Sequence, residues 1–406
     1  MKALLGVLLL GLVIAQGGRL VFITPMGQVA TINPDGSAMR TLTTEGFFQF
    51  PAWSPDGATI AAIGNDGVAG GIYLLEDRVS VSPTVIYRSV AERPFYLYWA
   101  PDSARLAFLA NHPQSGIALH VASRSGSSLL AQGSPFYWQW TANSQSLLIH
   151  SGFIGSQARL GFTSRVRDTL TENLAAPGRF QPPGISSSER FIAFAELQGE
   201  RSVLVLRNNP AINPAPVRRE LRHDGLVALS FSPTDELLAF IHPETIAPHS
   251  FGPLKLLDAE TGTLERLTEA TVLAFFWSPD GRYLAYLTPA AAPGDRVARL
   301  AARHTDTLAP LQAQPIQLDL LVVDVRTLQQ QFIASFAPSP LWLQQFLPFF
   351  DQYALSHRVW SPASDALTFP VIDLETLSLQ VAVFTLAGEV RLLAAGDTPF
   401  WSTVSD

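Results

Sequence analysis

The residues that could do chemistry are spread thinly along this 406-residue chain. The histidines are His112, His120, His150, His223, His242, His249, His304 and His357. No His-Glu-x-x-His pair occurs, and no two lie at ligand spacing with a carboxylate partner, so a zinc site would have to be assembled from distant segments. There is no Gly-x-Ser-x-Gly nucleophile elbow and no phosphate-cradling glycine loop. Cysteine is absent, which excludes thiolate metal ligation, disulfides and a lipid-modified N-terminal cysteine. The carboxylates that stand out are repeated ones: Asp56, Asp102 and Asp280 occupy the same place in a recurring turn. A ring of such groups could hold a metal or substrate, but a turn Asp also accepts local backbone N–H groups and holds its turn shut. Units that lose the Asp keep the rest of the turn, which favours the structural role. Paired carboxylates for glycoside chemistry cannot be picked out, because residues that meet across a ring of repeats are remote in sequence. No catalytic residue, metal ligand or cofactor is assigned, and the balance leans away from an enzyme without closing that possibility.

A second set of candidates is aromatic. Residues 337–357 hold Trp342, Phe346, Phe349, Phe350 and Tyr353, with Asp351, Gln352 and His357 as polar neighbours. Ser339 suits a helix cap and Pro340 a first turn. Trp342, Leu343, Phe346 and Leu347 fall on one helical face, and Pro348 should kink the helix. The segment predicts a short helix over about 338–356. It reads either as a lid packed over its surroundings or as a binding surface for a protein, peptide or glycan. The candidate contacts are Trp342, Phe346, Phe349, Phe350, Asp351, Gln352, Tyr353 and His357.

The elements that must position these residues follow from a repeat. Trp53-Ser54-Pro55-Asp56-Gly57 returns whole at Trp277-Ser278-Pro279-Asp280-Gly281. Altered copies begin at Trp99, Trp140, Phe231 and Trp360, a worn copy at Ile185, and a truncated one at Trp401. Successive intervals are 46, 41, 45, 46, 46, 83 and 41 residues. A period of about 40–45 residues with short strands between turn formers is the mark of a β-propeller blade. The turn ends the innermost strand (a) and leads into strand b. Its Pro and Gly suit a tight turn, and its aromatic packs between blades. The doubled interval holds two insertions, about 288–315 and 337–357, placed between strands b and c and between strand d and the next strand a. Both therefore lie on the face opposite the turns, where long loops on a rigid scaffold commonly serve recognition.

The chain starts with strands b, c and d (Arg19–Ile23, Gln28–Ile32, Met39–Leu42) and ends with a lone strand a at Thr398–Ser402. Pairing the last strand with the first unit closes the ring and removes its edges. The count is eight blades; seven is the alternative, because Pro182-Pro183 interrupts the unit at Ile185. Residues 1–15 read as a signal peptide, with Lys2 before the apolar run Ala3–Val13 and small residues ahead of Gln16. The alternative is an uncleaved anchor. The propeller is expected over 16–406, with no later membrane span, and the net charge of −7 argues against a nucleic-acid partner.

The aromatic-Ser-Pro-Asp-Gly turn followed by an Ile-Ala-Phe-like strand resembles the TolB-type, WD-like propeller repeat. So do Asn33-Pro34-Asp35-Gly36 with Arg40-Thr41-Leu42, and Asp258-Ala259-Glu260-Thr261-Gly262 with Arg266-Leu267. The resemblance implies an all-β propeller over nearly the whole mature chain. TolB itself carries an α/β domain before six blades, and neither feature is expected here. The resulting expectation is an exported, periplasmic or extracellular, monomeric propeller that binds a protein, peptide or glycan. The alternatives are a hydrolase or lyase with a channel-centred site, and a scaffold component of an envelope complex.

Overall fold

The computed structural model describes residues 18–133, 135–152, 158–163, 174–179, 181–210, 212–213, 218–223, 225–244, 249–290 and 315–404. The segment read as a signal peptide and most of the first insertion (291–314) lie outside them.

Eight antiparallel sheets form, one per repeat unit, giving an eight-bladed all-β propeller. The first blade is composite: Asp397–Trp401 pairs with Leu20–Ile23, with Leu20 opposite Trp401 and Val21 opposite Phe400. The weak unit is a real blade, its strand a reduced to Gly184–Ile185 beside Pro182-Pro183. Burial explains the residue choice within each blade. The second strands, such as Ile60–Asn65, Arg105–His112 and Phe191–Gln198, are buried over most of their length. They accordingly read as near-continuous apolar runs instead of alternating ones. Outer strands face water: Arg218–Arg222 alternates exposed and half-buried residues, and its charges deter edge pairing.

The repeated turn joins blades in two ways. Trp99 donates its indole N–H to the Ala52 carbonyl of the preceding blade (3.1 Å). Trp277 does the same to Ser230 (3.1 Å) and Trp360 to Phe276 (3.0 Å), with Trp140 reaching Tyr98 at 3.4 Å. In each case the acceptor is the residue just before the preceding turn's aromatic. The second bond explains the altered copies. Ser103, Ser144 and Ser364 replace the turn glycine and keep its left-handed backbone, at φ 58°, 58° and 59°. A side chain there costs about 1 kcal/mol or more. Each Ser hydroxyl, however, accepts the N–H of the previous intact or altered turn: Asp56 (3.0 Å), Asp102 (2.9 Å) and Asp280 (3.1 Å). What reads as wear in the sequence is a second inter-blade latch.

The doubled interval is built differently from the expectation. Strands Tyr283–Pro289 and Leu318–Asp324 pair directly, with the first insertion between them as anticipated. The second insertion does not lie between strand d and strand a. It interrupts strand a of the eighth blade. Pro338 bridges to Val371 at one end and Trp360 bridges to Leu367 at the other, both on strand Ala366–Ile372. The Ser339 N–H still reaches the Pro370 carbonyl (3.3 Å) and the Val359 carbonyl accepts the Thr368 N–H (2.8 Å), so residues 340–358 leave the sheet opposite Phe369. The excursion is a π-helical turn, Trp342–Phe346, a 3-10 turn, Leu347–Phe349, and a helix α1, Phe350–Ser356. Pro348 sits in the 3-10 turn, where the missing N–H does least harm. Ser339 caps the start, accepting the Trp342 N–H at 3.2 Å while its hydroxyl donates to Asp397 at 2.8 Å.

The indole latches make a graded prediction. Trp99→Phe and Trp360→Phe each remove a buried hydrogen bond between blades and should each lower stability by about 1 kcal/mol beyond the lost packing. Trp53→Phe, whose indole N–H has no acceptor, should cost only the packing difference. Urea denaturation midpoints measure this; equal losses at all three sites would mean that the latches contribute nothing.

Candidate functional site

Every blade of a propeller points its strand a at the central axis, and here that axis is filled. The excursion from blade eight runs down the channel. Trp342, Phe346, Phe350 and Tyr353 are all buried, as are Asp351, Gln352 and His357. Phe350 meets Phe275 (5.2 Å) and Phe276 (5.9 Å) of blade seven, and Phe346 meets Phe400 (5.8 Å) of blade one. Tyr353 packs edge-on to Tyr96 of blade three (4.9 Å) and near Phe50 of blade two (5.2 Å). Trp342 stands edge-on to Phe369 (5.7 Å), the residue uncovered where strand a departs.

Polar groups fix the plug's depth and rotation. Gln352 pairs with blade four as a strand would: its Nε2 donates to the Trp138 carbonyl (3.0 Å) and its Oε1 accepts the Trp138 N–H (3.0 Å). The Tyr96 hydroxyl approaches both the Gln352 carbonyl and Ser356 Oγ, each at 2.9 Å. At the lower end His357 Nε2 reaches the Phe50 carbonyl (3.3 Å) and Nδ1 meets Ser356 Oγ (2.6 Å). A ring that donates to a carbonyl and faces a hydroxyl is satisfied as neutral imidazole. Burial lowers its pKa to about 3, the Phe50 carbonyl opposing only in part. Asp351 is pushed the other way, up to about 7, by burial, although it accepts the Gln352 N–H at 3.0 Å.

The sequence candidates are thus brought together, but inward. Of the eight, only Phe349 is well exposed (46%). An exposed aromatic patch on the insertion is not what forms; the apolar stripe meets the aromatic inner strands instead. Nor does the excursion stay on the face opposite the turns. It crosses the channel, and His357 emerges beside the turn face. There two adjoining cavities of about 250 and 220 Å³ share Leu355 and Arg358. Pro233, Pro279, Trp277 and Trp360 help wall the first, and Pro55, Pro101, Tyr98 and Trp401 the second. Sequence reading passed over Arg358, because nothing in the order of residues shows that a plug ends there.

The repeated carboxylates are used by their own turns. Asp56 accepts from Ser54 Oγ (2.5 Å) and the Ala58 N–H (3.0 Å), and Asp280 from Ser278 Oγ (2.6 Å) and the Arg282 N–H (3.1 Å). A cluster that sequence order concealed lies at the edge of blade three: Glu92 is 3.0 Å from His120 Nε2 and 3.7 Å from His112 Nε2. Among the described residues no three His, Asp or Glu side chains converge as a metal site would require.

The plug makes stability pH-dependent in a way that can be separated. Asp351 binds its proton up to about pH 7 when folded but only to about 3.8 otherwise. Its ionisation therefore lowers stability as pH rises from about 4 to 7. His357 acts oppositely, costing stability as pH falls from 6.5 towards 3. The stability of Asp351→Asn minus that of the parent should grow between pH 4 and 7 and then stay level, reaching on the order of 2–4 kcal/mol. A difference that does not change with pH, measured by chemical denaturation across that range, would show that Asp351 is not buried as described. Removing plug volume should cost more broadly: Phe346→Ala should destabilise by about 3–5 kcal/mol.

No protein-family model matches the chain, and no curated protein matches it. Solved structures do. A eukaryotic initiation factor is similar over 95% of this chain and 99% of its own, at 11% identity and a TM-score of 0.55. A prolyl endopeptidase is similar over 88% of this chain, at 10% identity and a TM-score of 0.56; the match spans about half (51%) of that protein. TolB from Acinetobacter baumannii is similar over 96% of this chain and 67% of its own, at 12% identity and a TM-score of 0.42. TolB-type and related propellers are thus among the structures this chain is similar to, and what it shares with them at such identities is the propeller fold.

Proposed function

We propose that the chain is an exported, non-enzymatic binding propeller of the cell envelope, a rigid ring whose turn face meets a ligand or partner. The observation that carries this reading is the filled axis. The channel is where side chains from all blades converge, and here Trp342, Phe346, Phe350 and Tyr353 occupy it. A hydrolase or lyase of the kind weighed above needs two carboxylates, or a His–carboxylate cluster, converging in an open polar channel. The channel's own polar groups, Asp351 and His357, are buried in and bonded to the plug. Among the described residues, open concavities at the turn face include the pair of cavities beside the plug's end, and recognition is assigned there. The insertion contributes through its lower end, at His357, while its aromatic residues hold the axis. The envelope address rests on Lys2 and the apolar run that follows it. No helix among the described residues is long and apolar enough to cross a membrane.

Photo-crosslinking in cells tests the assignment of the face. A crosslinking side chain at Asp102, on the turn face, should yield adducts in the envelope fraction. The same group at Val68, in the b–c turn of the opposite face, should not. Adducts from position 68 alone, or the protein in the cytoplasmic fraction, would overturn the proposal.

A further inference from the structure

The cavities at the turn face hold one formal charge, and it is positive. Arg358 follows α1 directly and lines both of them. Its side chain is exposed to solvent, and it lines the two cavities that adjoin there. Desolvation there pushes the guanidinium below its ordinary range. The group that acts against this is Tyr98, whose own phenol is driven well above its usual value by burial and so stays neutral. His357, which also lines the larger cavity, is neutral too. No Asp or Glu lines either cavity. Among the described residues no carboxylate pairs with Arg358, whereas Arg19, Arg40, Arg105, Arg218 and Arg282 all pair with one.

The walls around this charge carry aromatic side chains, Trp277, Trp360 and Phe276 on one side and Tyr98, Trp99 and Phe400 on the other, interspersed with polar groups such as Ser230, Ser356 and Thr403. The smaller cavity also contains Trp53 and Trp401, whose indole N–H groups have no acceptor, unlike those of the four latched tryptophans. Those two N–H groups are buried, so the cationic donor the cavities offer a ligand is the Arg358 guanidinium. An uncompensated guanidinium in a small funnel with aromatic walls is suited to a planar oxyanion that it can hold by two parallel bonds. The volume limits the body of the ligand to a few carbon atoms or one ring.

We propose that the funnel binds a small monocarboxylate with an apolar or aromatic body, its carboxylate on Arg358 and its body between the tryptophan and proline walls. This rests on the binding reading above and adds to it the chemical class of the ligand. The test is calorimetric titration of the full chain at low ionic strength with benzoate and butyrate, against benzamide, butyramide and inorganic phosphate. The two carboxylates should bind saturably and the amides should not. Arg358→Gln should weaken carboxylate binding on the order of 10- to 100-fold with an unchanged melting temperature, and Arg358→Lys should fall between. Stronger binding of benzoate than butyrate would identify the aromatic walls as the source of body selectivity, and the reverse would identify the aliphatic ones; either supports the site. Amides binding as tightly as acids, phosphate binding as tightly as both carboxylates, Arg358→Gln binding like the parent, or no saturable carboxylate binding would each overturn it. If the carboxylates fail while position 102 still crosslinks in the envelope, the ligand class is wrong and the turn-face reading survives. If position 102 also fails to crosslink, the face itself is wrong.

Discussion

A ring of eight blades has to fill its own centre. Inner strands that carry Phe50, Tyr96, Trp138, Phe275 and Phe400 would otherwise face a water-filled axis, and an unfilled void among such side chains forfeits contacts on one side of each. This chain meets the constraint from within. Strand a of the eighth blade opens at Pro338, sends a helical excursion down the channel and rejoins its sheet at Trp360. Because both ends are anchored to one strand, the plug is part of a blade and not a lid laid over the ring. Its length is set by the depth of the channel, and its aromatic stripe by the aromatic inner strands it meets.

The cost of a buried helix is its polar groups, and here they are answered by the blades. Gln352 completes hydrogen bonds to Trp138 that a neighbouring strand would make, and Tyr96 joins the Gln352 carbonyl to Ser356. Leaving such groups unpaired would cost about 1–3 kcal/mol each. The same bonds fix which groups remain for recognition. They hold His357 neutral beneath the turn face and leave the next residue, Arg358, lining both cavities. Structure and site are therefore one arrangement: the residues that stop the channel also decide what faces outward at its mouth.

The fold was legible because the signals that specify it are local and repeated. The turn at Trp53 names the strand before and after it, and the unpaired strand a at Thr398–Ser402 announces ring closure, which the pairing of Leu20 with Trp401 bears out. Even the doubtful unit at Ile185 keeps its sheet. The helix over 338–356, its Ser339 cap and its break at Pro348 were also legible, since periodicity and capping are local properties. Its burial was not. An amphipathic stripe has the same sequence whether it covers a surface or fills a hole, and only the distant partners on other blades decide between them. The same limit hid Arg358, and hid that Ser103, Ser144 and Ser364, where intact turns carry glycine, each accept a bond from another blade.

The architecture depends on the insertion being core. Native-state hydrogen exchange of the amides between Trp342 and Ser356 tests this directly. Those amides should exchange only with global unfolding, at the same free energy as inner-strand amides such as Leu97 and Ala107. Exchange at the rate of exposed loop amides, while the strands stay protected, would show a lid that opens on its own and would contradict a plug built into the eighth blade.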